Sequence, residues 1–163
     1  MKKIKIEIKW AFIFIVASLL WMLLERLAGL HDRHIDKHQY LTMIFVIPAV
    51  WIYVLALKDK KKRYYNGRMS FKQGFVSGVI ISVIVMLFSP LTQWITSAII
   101  TPGYFTNVIA HSVKTGYYKT VEEAEAYFNL KNYMVQSAIS ALVMGAITSA
   151  VVALFVKTKA VRR

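Results

Sequence analysis

The sequence predicts an all-α fold, a polytopic bundle of four transmembrane helices that forms a single integral membrane domain over residues 1–163. Hydrophobic residues make up 57% of the chain, which is more than is typical of a whole soluble domain. They are concentrated in four segments, and crossing about 30 Å of hydrocarbon takes about 20 helical residues. Because hydrocarbon offers no hydrogen-bond partners to backbone groups, these segments must be helices.

The four predicted transmembrane helices differ in regularity. The first contains Glu25 and Arg26 where a signal peptide would have a small-residue cleavage site, so we interpret it as an uncleaved helix. Pro48 predicts a kink in the short second helix, and Pro90 predicts a bend in the third that tilts residues 92–100. The predicted spans are about residues 10–30, 41–57, 74–100 and 133–156.

Basic residues lie mostly on one side of these helices. Fifteen of the 21 Lys and Arg residues precede the first span, follow the fourth or lie in residues 58–72, where only Glu7 and Asp59 oppose them. These residues account for the whole net charge of +13. The positive-inside rule therefore predicts that both termini and residues 58–72 are cytoplasmic. Because membrane insertion explains the charge, we predict no nucleic-acid partner.

The predicted outer loop, residues 101–132, carries helix signals. Thr101-Pro102 is typical of a helix start, and Thr115-Gly116 is typical of a stop. A capping box from Thr120 to Glu123 then opens a second helix. We therefore predict a helical extracytoplasmic loop between helices 3 and 4.

Small residues recur every four positions along two of the helices. Such ladders let helix backbones approach closely, which favours helix association in lipid. Two interpretations are open: the ladders pack inside this one bundle, or one of them faces a second membrane protein. The helix-packing candidates are Gly74, Gly78 and Ser82 in helix 3 and Ser137, Ala141, Gly145, Ser149 and Ala153 in helix 4.

Candidate functional side chains are concentrated at the outer end of helix 1, which we expect to end around residues 34–36. Glu25 and Arg26 lie about 7 Å inside the predicted span, and ionisable residues there are functional candidates by default. Being adjacent, they diverge on a helix and need separate partners. They form either a structural polar clasp or a ligand or partner contact. The candidates are Glu25, Arg26, His31, Asp32, His34, Asp36 and His38.

The histidines in this segment also raise the question of a metal site. His34 and His38 have a spacing that binds zinc on a helix, and His31 is the candidate third ligand. The glutamate base of an H-E-x-x-H motif is missing, and the chain has no cysteine to ligate a metal. We therefore predict no cofactor, no metal and no catalytic residue. The alternative is a periplasm-facing metalloenzyme in which the three histidines are the metal ligands.

The basic residues after helix 2 predict contact with anionic lipid. A Lys or Arg near such a surface contributes about 1 kcal/mol. Their role in setting the topology also explains them. They are Lys58, Lys60, Lys61, Lys62 and Arg63.

Six short motifs together resemble a known family. They are Trp21-x-x-x-Glu25-Arg26-x-x-Gly29-Leu30-His31-Asp32, Tyr40-x-Thr42, Gly74-Phe75-x-x-Gly78, Ser89-Pro90-Leu91-Thr92, Thr101-Pro102-x-Tyr104-Phe105 and Ala126-Tyr127-Phe128-Asn129-Leu130. Over nearly its whole length the chain is similar to the domain of unknown function 4199 family, small four-helix membrane proteins found mainly in Bacteroidota. The resemblance implies a multi-pass protein of the bacterial inner membrane and carries no established activity. A partner that handles lipid-linked sugars is a hint from the same family.

Three functions are open at this point. We expect a non-enzymatic accessory or assembly subunit of a larger membrane complex, in contact with the lipid bilayer and with another integral membrane protein or a second copy of itself. The first alternative is a small oligomeric transporter or lipid-handling protein that uses Glu25 and Arg26. The second alternative is the metalloenzyme with His31, His34 and His38.

Overall fold

The computed structural model describes residues 4–158, and most of them are α-helical. A 3₁₀ turn at Thr42–Phe45 joins α2 (Ile35–Leu41) to α3 (Val46–Arg63). A π-helical turn at Thr96–Ile100 extends α4 (Phe71–Ile95). Within residues 4–158 there is no β-strand. The α-helices are α1 (Lys5–Leu27), α2 (Ile35–Leu41), α3 (Val46–Arg63), α4 (Phe71–Ile95), α5 (Tyr104–Lys114), α6 (Val121–Tyr127) and α7 (Leu130–Val156).

Four helical segments are long and apolar enough to cross a membrane. They confirm an all-helical fold with four candidate membrane spans. The second span combines α2, the 3₁₀ turn and α3, and the third combines α4 with the π turn. The spans are Lys5–Leu27, Ile35–Arg63, Phe71–Ile100 and Leu130–Val156.

Helix α1 ends earlier than predicted, at Leu27. Gly29 has a φ of +74°, a left-handed conformation that suits glycine. Its N–H donates to the Arg26 carbonyl at 2.9 Å, and the Leu30 N–H donates to the Glu25 carbonyl at 3.0 Å. These two bonds form a Schellman motif, which caps a helix and reverses the chain. The prediction that helix 1 continues to residues 34–36 is therefore wrong.

The two prolines predicted to distort helices lie near changes of helical type. Pro48 is in the first turn of α3, just after the 3₁₀ turn, and the carbonyl four residues earlier, with which its ring interferes, belongs to Ile44 in that turn. Helix α4 runs through Pro90 without a break. The departure from α-helical geometry comes six residues later, where the Thr101 N–H donates to the Thr96 carbonyl at 2.8 Å and closes a π-helical turn.

The two small-residue ladders face each other between α4 and α7. A Cβ atom at Gly78 would lie 2.6 Å from the Cβ of Ser149, and one at Gly145 would lie 2.6 Å from the Cβ of Ser82. A Cβ at Gly74 would similarly be 3.1 Å from that of Ala153. The helix backbones are therefore too close to admit larger residues. The ladders serve packing inside this chain, which removes them as support for a partner-facing surface.

The remaining two ladder residues lie toward the start of α7. Ala141 is half-buried and packs against the core. Ser137 is half-buried, and its hydroxyl donates to the Met134 carbonyl of its own helix at 3.0 Å.

The segment between α4 and α7 contains the two short helices α5 and α6. Helix α5 begins at Tyr104 with Gly103 as its N-cap, so the predicted start at Thr101 is two residues early. Its end matches the predicted stop, with Thr115 as C-cap and Gly116 at a φ of +75°. Thr120 caps α6 by accepting from the Glu123 N–H at 3.2 Å, but the Glu123 carboxylate accepts from the Lys119 N–H, so the box is not reciprocal.

Residues 58–63 define what we call the basic end of the bundle. Lys60 is only 4% exposed, and its ammonium lies 2.8 Å from the carboxylate of buried Glu7. Its prediction as an anionic-lipid contact is therefore wrong, because the ammonium is already paired with a carboxylate of opposite charge, which an anionic headgroup would also meet. The Lys61 ammonium donates to the Val156 carbonyl at 2.8 Å, which ties α3 to the end of α7. Lys58, Lys62 and Arg63 are exposed.

Candidate functional site

The residues at the opposite end of the bundle, 31–38, define what we call the histidine end. The Schellman motif after α1 folds the chain back so that the turn carries His31 over the last turn of α1. Helix α2 then brings His38 to the same place. The Asn107 side chain of α5 donates to the His31 carbonyl at 2.9 Å and holds the turn. Glu25 and His31 are 3% and 4% exposed, so they form a buried polar centre.

Both imidazoles converge on one carboxylate oxygen. The Nε2 atom of His31 lies 3.2 Å from Oε2 of Glu25, and Nε2 of His38 lies 3.4 Å from the same oxygen. One nitrogen or oxygen atom from each residue falls within 4.8 Å of the other two. A carboxylate and two imidazoles at such separations are a donor set for a divalent transition metal.

Neighbouring groups hold two of these three side chains in place. The Trp21 indole N–H, one turn before Glu25 on α1, donates to Oε1 of Glu25 at 2.5 Å. The Tyr104 hydroxyl lies 3.5 Å from Nδ1 of His38 and 3.4 Å from the Tyr133 hydroxyl. Burial, with a smaller contribution from the Glu25 charge, raises the pKa of Tyr104, so its hydroxyl remains protonated.

One buried nitrogen of the cluster lacks such support. Nδ1 of His31 has no hydrogen-bond partner among residues 4–158. Leaving a buried polar atom unpaired costs about 1–3 kcal/mol. The His31 ring instead makes edge-on contacts with the rings of His38 and Tyr104, with centroids 5.0 and 5.4 Å away.

A cavity of about 110 Å³ adjoins the cluster. His31 and His38 form part of its wall, and hydroxyl and amide groups form most of the rest. These polar groups offer donors and acceptors to a small oxygen ligand. The lining residues are Met22, His31, His38, Thr42, Gln93, Thr96, Ser97, Thr101, Tyr104 and Tyr133.

Arg26 does not join Glu25 in this cluster. Its guanidinium donates to the carbonyls of Ile99, at 3.3 Å, and Ile100 in the π turn. Those carbonyls lie at the C-terminal end of a helical segment, where a cation is favoured. Glu25 and Arg26 thus diverge as predicted, and Arg26 forms a clasp between α1 and the π turn.

The other predicted site residues lie outside the buried cluster. Asp32, His34 and Asp36 are all exposed. The alternative metal set of His31, His34 and His38 is therefore wrong, because the early end of α1 turns His34 away and brings Glu25 in. Sequence reasoning did not assign Tyr104 or Trp21 to the site. The i, i+4 spacing of Trp21 and Glu25 was the available signal.

A second buried charged group occupies the basic end, on the same face of α1. Glu7 and Glu25 are 18 residues, or five helical turns, apart, which separates them by about 27 Å along the axis. Between them this face of α1 buries the apolar residues Ala11 and Ile15. No ionisable side chain of α1 lies between Trp10 and Leu24. This apolar layer does not support a transport path between the two groups.

Comparison with known proteins shows which family the chain belongs to. A family model described as "Protein of unknown function (DUF4199)" matches residues 9–158, most of the chain. The chain belongs to this family. No curated protein and no solved structure matches the chain. The family match confirms the resemblance seen in the sequence motifs and carries no activity with it, so function has to be argued from the site.

Proposed function

We propose that this chain is a non-enzymatic integral membrane protein that binds one divalent transition-metal ion through Glu25, His31 and His38. The observation that carries the proposal is the convergence of both Nε2 atoms on Oε2 of Glu25, at 3.2 and 3.4 Å. Zinc is the best fit, because a carboxylate and two imidazoles are a common three-residue zinc set with a fourth position left for water.

The distances suit a tetrahedral zinc ion. Zinc binds imidazole nitrogen and carboxylate oxygen at about 2.0–2.1 Å, so neighbouring ligand atoms of a tetrahedron lie about 3.3–3.4 Å apart. Both nitrogen–oxygen distances in the cluster, 3.2 and 3.4 Å, are close to this value. Two of the three ligand pairs thus already have the required separation, and the two imidazole nitrogens lie within 4.8 Å of each other.

The surroundings also suit a metal site. A zinc-binding imidazole usually hydrogen-bonds through its other nitrogen, and a ligating carboxylate is itself hydrogen-bonded. Tyr104 stands at Nδ1 of His38, and Trp21 donates to Oε1 of Glu25. Nδ1 of His31 is buried and has no such partner within residues 4–158. The two contacts therefore fix the orientation of Glu25 and His38.

The competing interpretation is a metal-free clasp, in which both imidazoles donate to the Glu25 carboxylate. That arrangement leaves the buried carboxylate charge to be balanced by a protonated histidine, because neutral imidazoles bring no positive charge. A divalent cation supplies the charge directly and ties α1, the turn and α2 together. The two interpretations differ in a measurable way, namely in metal content and affinity.

Three protein ligands leave a fourth position open, as in catalytic zinc sites, but we assign the metal a structural role because the cavity next to it supplies no general base. None of the described residues that line the cavity is an acid, and Glu25 of the adjoining cluster serves as a ligand, so no carboxylate at the cavity can act as a general base. The Tyr104 hydroxyl remains protonated because burial raises its pKa. For this reason the proposal assigns the chain no catalytic activity.

The wider setting is proposed from the charge distribution and the family resemblance. We place the histidine end outside and the basic end in the cytoplasm of a bacterial inner membrane, because fifteen basic residues flank the spans on one side. We also retain the role of accessory subunit in a larger membrane complex, one that handles lipid-linked sugars. The small-residue ladders no longer support this role, because they pack against each other inside the chain. The family resemblance is the support that remains.

Titration with cobalt(II) tests the proposed site. Four-coordinate cobalt absorbs visible light far more strongly than the hydrated ion, so the spectrum reports both affinity and geometry. We expect Glu25→Gln and His38→Gln to lower the affinity by at least about 100-fold, and Trp21→Phe, which removes a supporting hydrogen bond, by about 10- to 100-fold.

The matched control is His34→Gln, which removes an exposed histidine from the same turn. It should leave cobalt affinity and spectrum unchanged. Equal loss in the His34 and His38 variants would contradict the assignment. Wild-type protein with only the spectrum of hydrated cobalt would favour the metal-free clasp.

A further inference from the structure

The basic end contains a charged pair that the proposed metal site does not involve. Oε1 of Glu7 lies 2.8 Å from the Lys60 ammonium and accepts from the Ser77 hydroxyl at 2.7 Å. Glu7 and Lys60 are 1% and 4% exposed. The Lys60 ammonium also lies 4.0 Å from the centre of the Tyr64 ring, a cation–π contact. The pair therefore joins α1, α3 and α4 within the bundle.

One oxygen of this pair has an unused acceptor site. Oε2 of Glu7 is buried and has no hydrogen-bond partner within residues 4–158. A buried carboxylate oxygen gains most from a charge-assisted bond to an N–H or O–H group. Oε2 of Glu7 can therefore accept a hydrogen bond from a donor group of a ligand.

A pocket of about 270 Å³ opens beside the pair. Glu7, Lys60 and Ser77 line it together with the polar side chains of Tyr64, Tyr65 and Gln73 and the apolar side chains of Ile4, Val76 and Ile80. Ile4 and Val76 are 44% and 46% exposed, so the apolar part of the pocket is continuous with the outer face of the bundle. This combination fits a molecule with a polar head and an apolar tail.

We propose that this pocket binds the headgroup of a phospholipid that carries a protonated primary amine, the chemistry of phosphatidylethanolamine. The Glu7–Lys60 pair contains one negative and one positive group. A purely anionic headgroup would be repelled by Glu7, and a purely cationic one by Lys60. A zwitterion places its ammonium next to Glu7 and its phosphate next to Lys60. Its N–H groups meet the requirement of Oε2, which a trimethylammonium group has no hydrogen atoms to satisfy.

The remaining lining supports this orientation. Burial raises the pKa of Tyr65, with added contributions from Tyr64 and Glu7, so its hydroxyl stays protonated and donates to the phosphate. The apolar side chains of Val76 and Ile80, one turn apart on α4, then run along the start of an acyl chain.

Native mass spectrometry of the full-length protein in a mild detergent tests the proposal. Phosphatidylethanolamine, its N,N-dimethyl derivative and phosphatidylcholine with identical acyl chains are added at equal concentration, with phosphatidylglycerol as the anionic lipid. We expect about tenfold more bound phosphatidylethanolamine than phosphatidylcholine, with the dimethyl lipid, which keeps one N–H, between them. Equal binding of all four lipids would overturn the proposal and leave Oε2 to an ordered water.

Two variants and a control locate the binding. Glu7→Gln should reduce phosphatidylethanolamine binding to the phosphatidylcholine level. Val76→Trp fills the pocket from its exposed side and keeps both members of the charged pair, and should have the same effect even if Glu7→Gln fails to fold. Asp59→Asn removes an acid from the same end, where Asp59 binds Lys9 and Arg63 outside the pocket, and should preserve the preference. Selectivity that survives Val76→Trp, or is lost in Asp59→Asn, would contradict the site.

A soluble headgroup separates lipid binding from headgroup binding alone. Glycerophosphoethanolamine has the same amine and phosphate but no acyl chains. We expect it to compete at least tenfold less well than the intact lipid, since burying each CH₂ group contributes about 0.8 kcal/mol. Competition as strong as that of the lipid would overturn the assignment to a membrane lipid.

Discussion

His31 Nε2 lies 3.2 Å from Oε2 of Glu25, although a helix end separates the two residues. The Leu30 N–H that donates to the Glu25 carbonyl closes that end and makes the approach possible. The backbone of Glu25 therefore caps the helix while its side chain anchors the polar cluster. Helix termination and site assembly are the same structural event in this chain.

The first prediction concerns the glycine at this helix end. Gly29→Ala should destabilise the fold by about 1–2 kcal/mol, because an L side chain is strained in the left-handed region, and a Cβ would also press on the Arg33 side chain. Thermal unfolding in detergent measures the effect. Gly103→Ala is the matched control, because Gly103 has no positive φ and a Cβ there meets only Asn107 at 3.7 Å. Equal loss in both variants would argue against the Schellman motif.

A second prediction tests the close contact of α4 and α7. Gly78→Ala should cost about 1–3 kcal/mol, because its Cβ would lie 2.6 Å from the Cβ of Ser149. Adding Ser149→Gly should recover part of the loss, since it removes the clashing atoms. The free energy of unfolding in a double-mutant cycle measures the coupling. Additive losses would mean that the two ladders do not meet.

The third prediction concerns the buried ion pair. Lys60→Met alone should destabilise the protein by about 3–5 kcal/mol, because it leaves the Glu7 charge buried and unpaired. The double variant Glu7→Gln/Lys60→Met should recover most of this loss. Lys62→Met, on the exposed side of α3, is the control and should change stability by less than about 0.5 kcal/mol. A Lys60 variant as stable as the Lys62 variant would place Lys60 at the lipid surface after all.

A fourth prediction is a loss of stability at alkaline pH through Tyr104. Burial raises the folded-state pKa of this tyrosine, so the unfolded chain releases the proton first as the pH rises. Its contribution is fully present below about pH 10 and disappears as the pH approaches the raised folded-state pKa. The free energy of unfolding is measured from pH 9 to about pH 11, a range that includes the ordinary pKa of tyrosine. It should fall less for Tyr104→Phe than for wild type. Tyr117→Phe, at a 77% exposed position, should behave as wild type.

The sequence was sufficient for the four spans because hydropathy and length decide them locally. It was also sufficient for the divergence of Glu25 and Arg26, which follows from helical geometry. It could not give the cluster, because His31 reaches Glu25 only after Gly29 adopts a positive φ, and glycine within a helical pattern is locally ambiguous. The facing of the ladders and the burial of Lys60 depend on contacts between distant helices, which no local pattern encodes.

Metal content is the most direct test of the central claim, that Glu25, His31 and His38 hold a metal ion. The full-length protein is purified without chelators or metal-affinity steps, and zinc per chain is determined by elemental mass spectrometry. We expect close to one zinc per wild-type chain and per His34→Gln chain, because a dedicated site is nearly filled, and under about 0.1 per chain in Glu25→Gln. A wild-type value under about 0.1 for zinc and for every other transition metal would contradict the proposal and establish the cluster as a metal-free clasp.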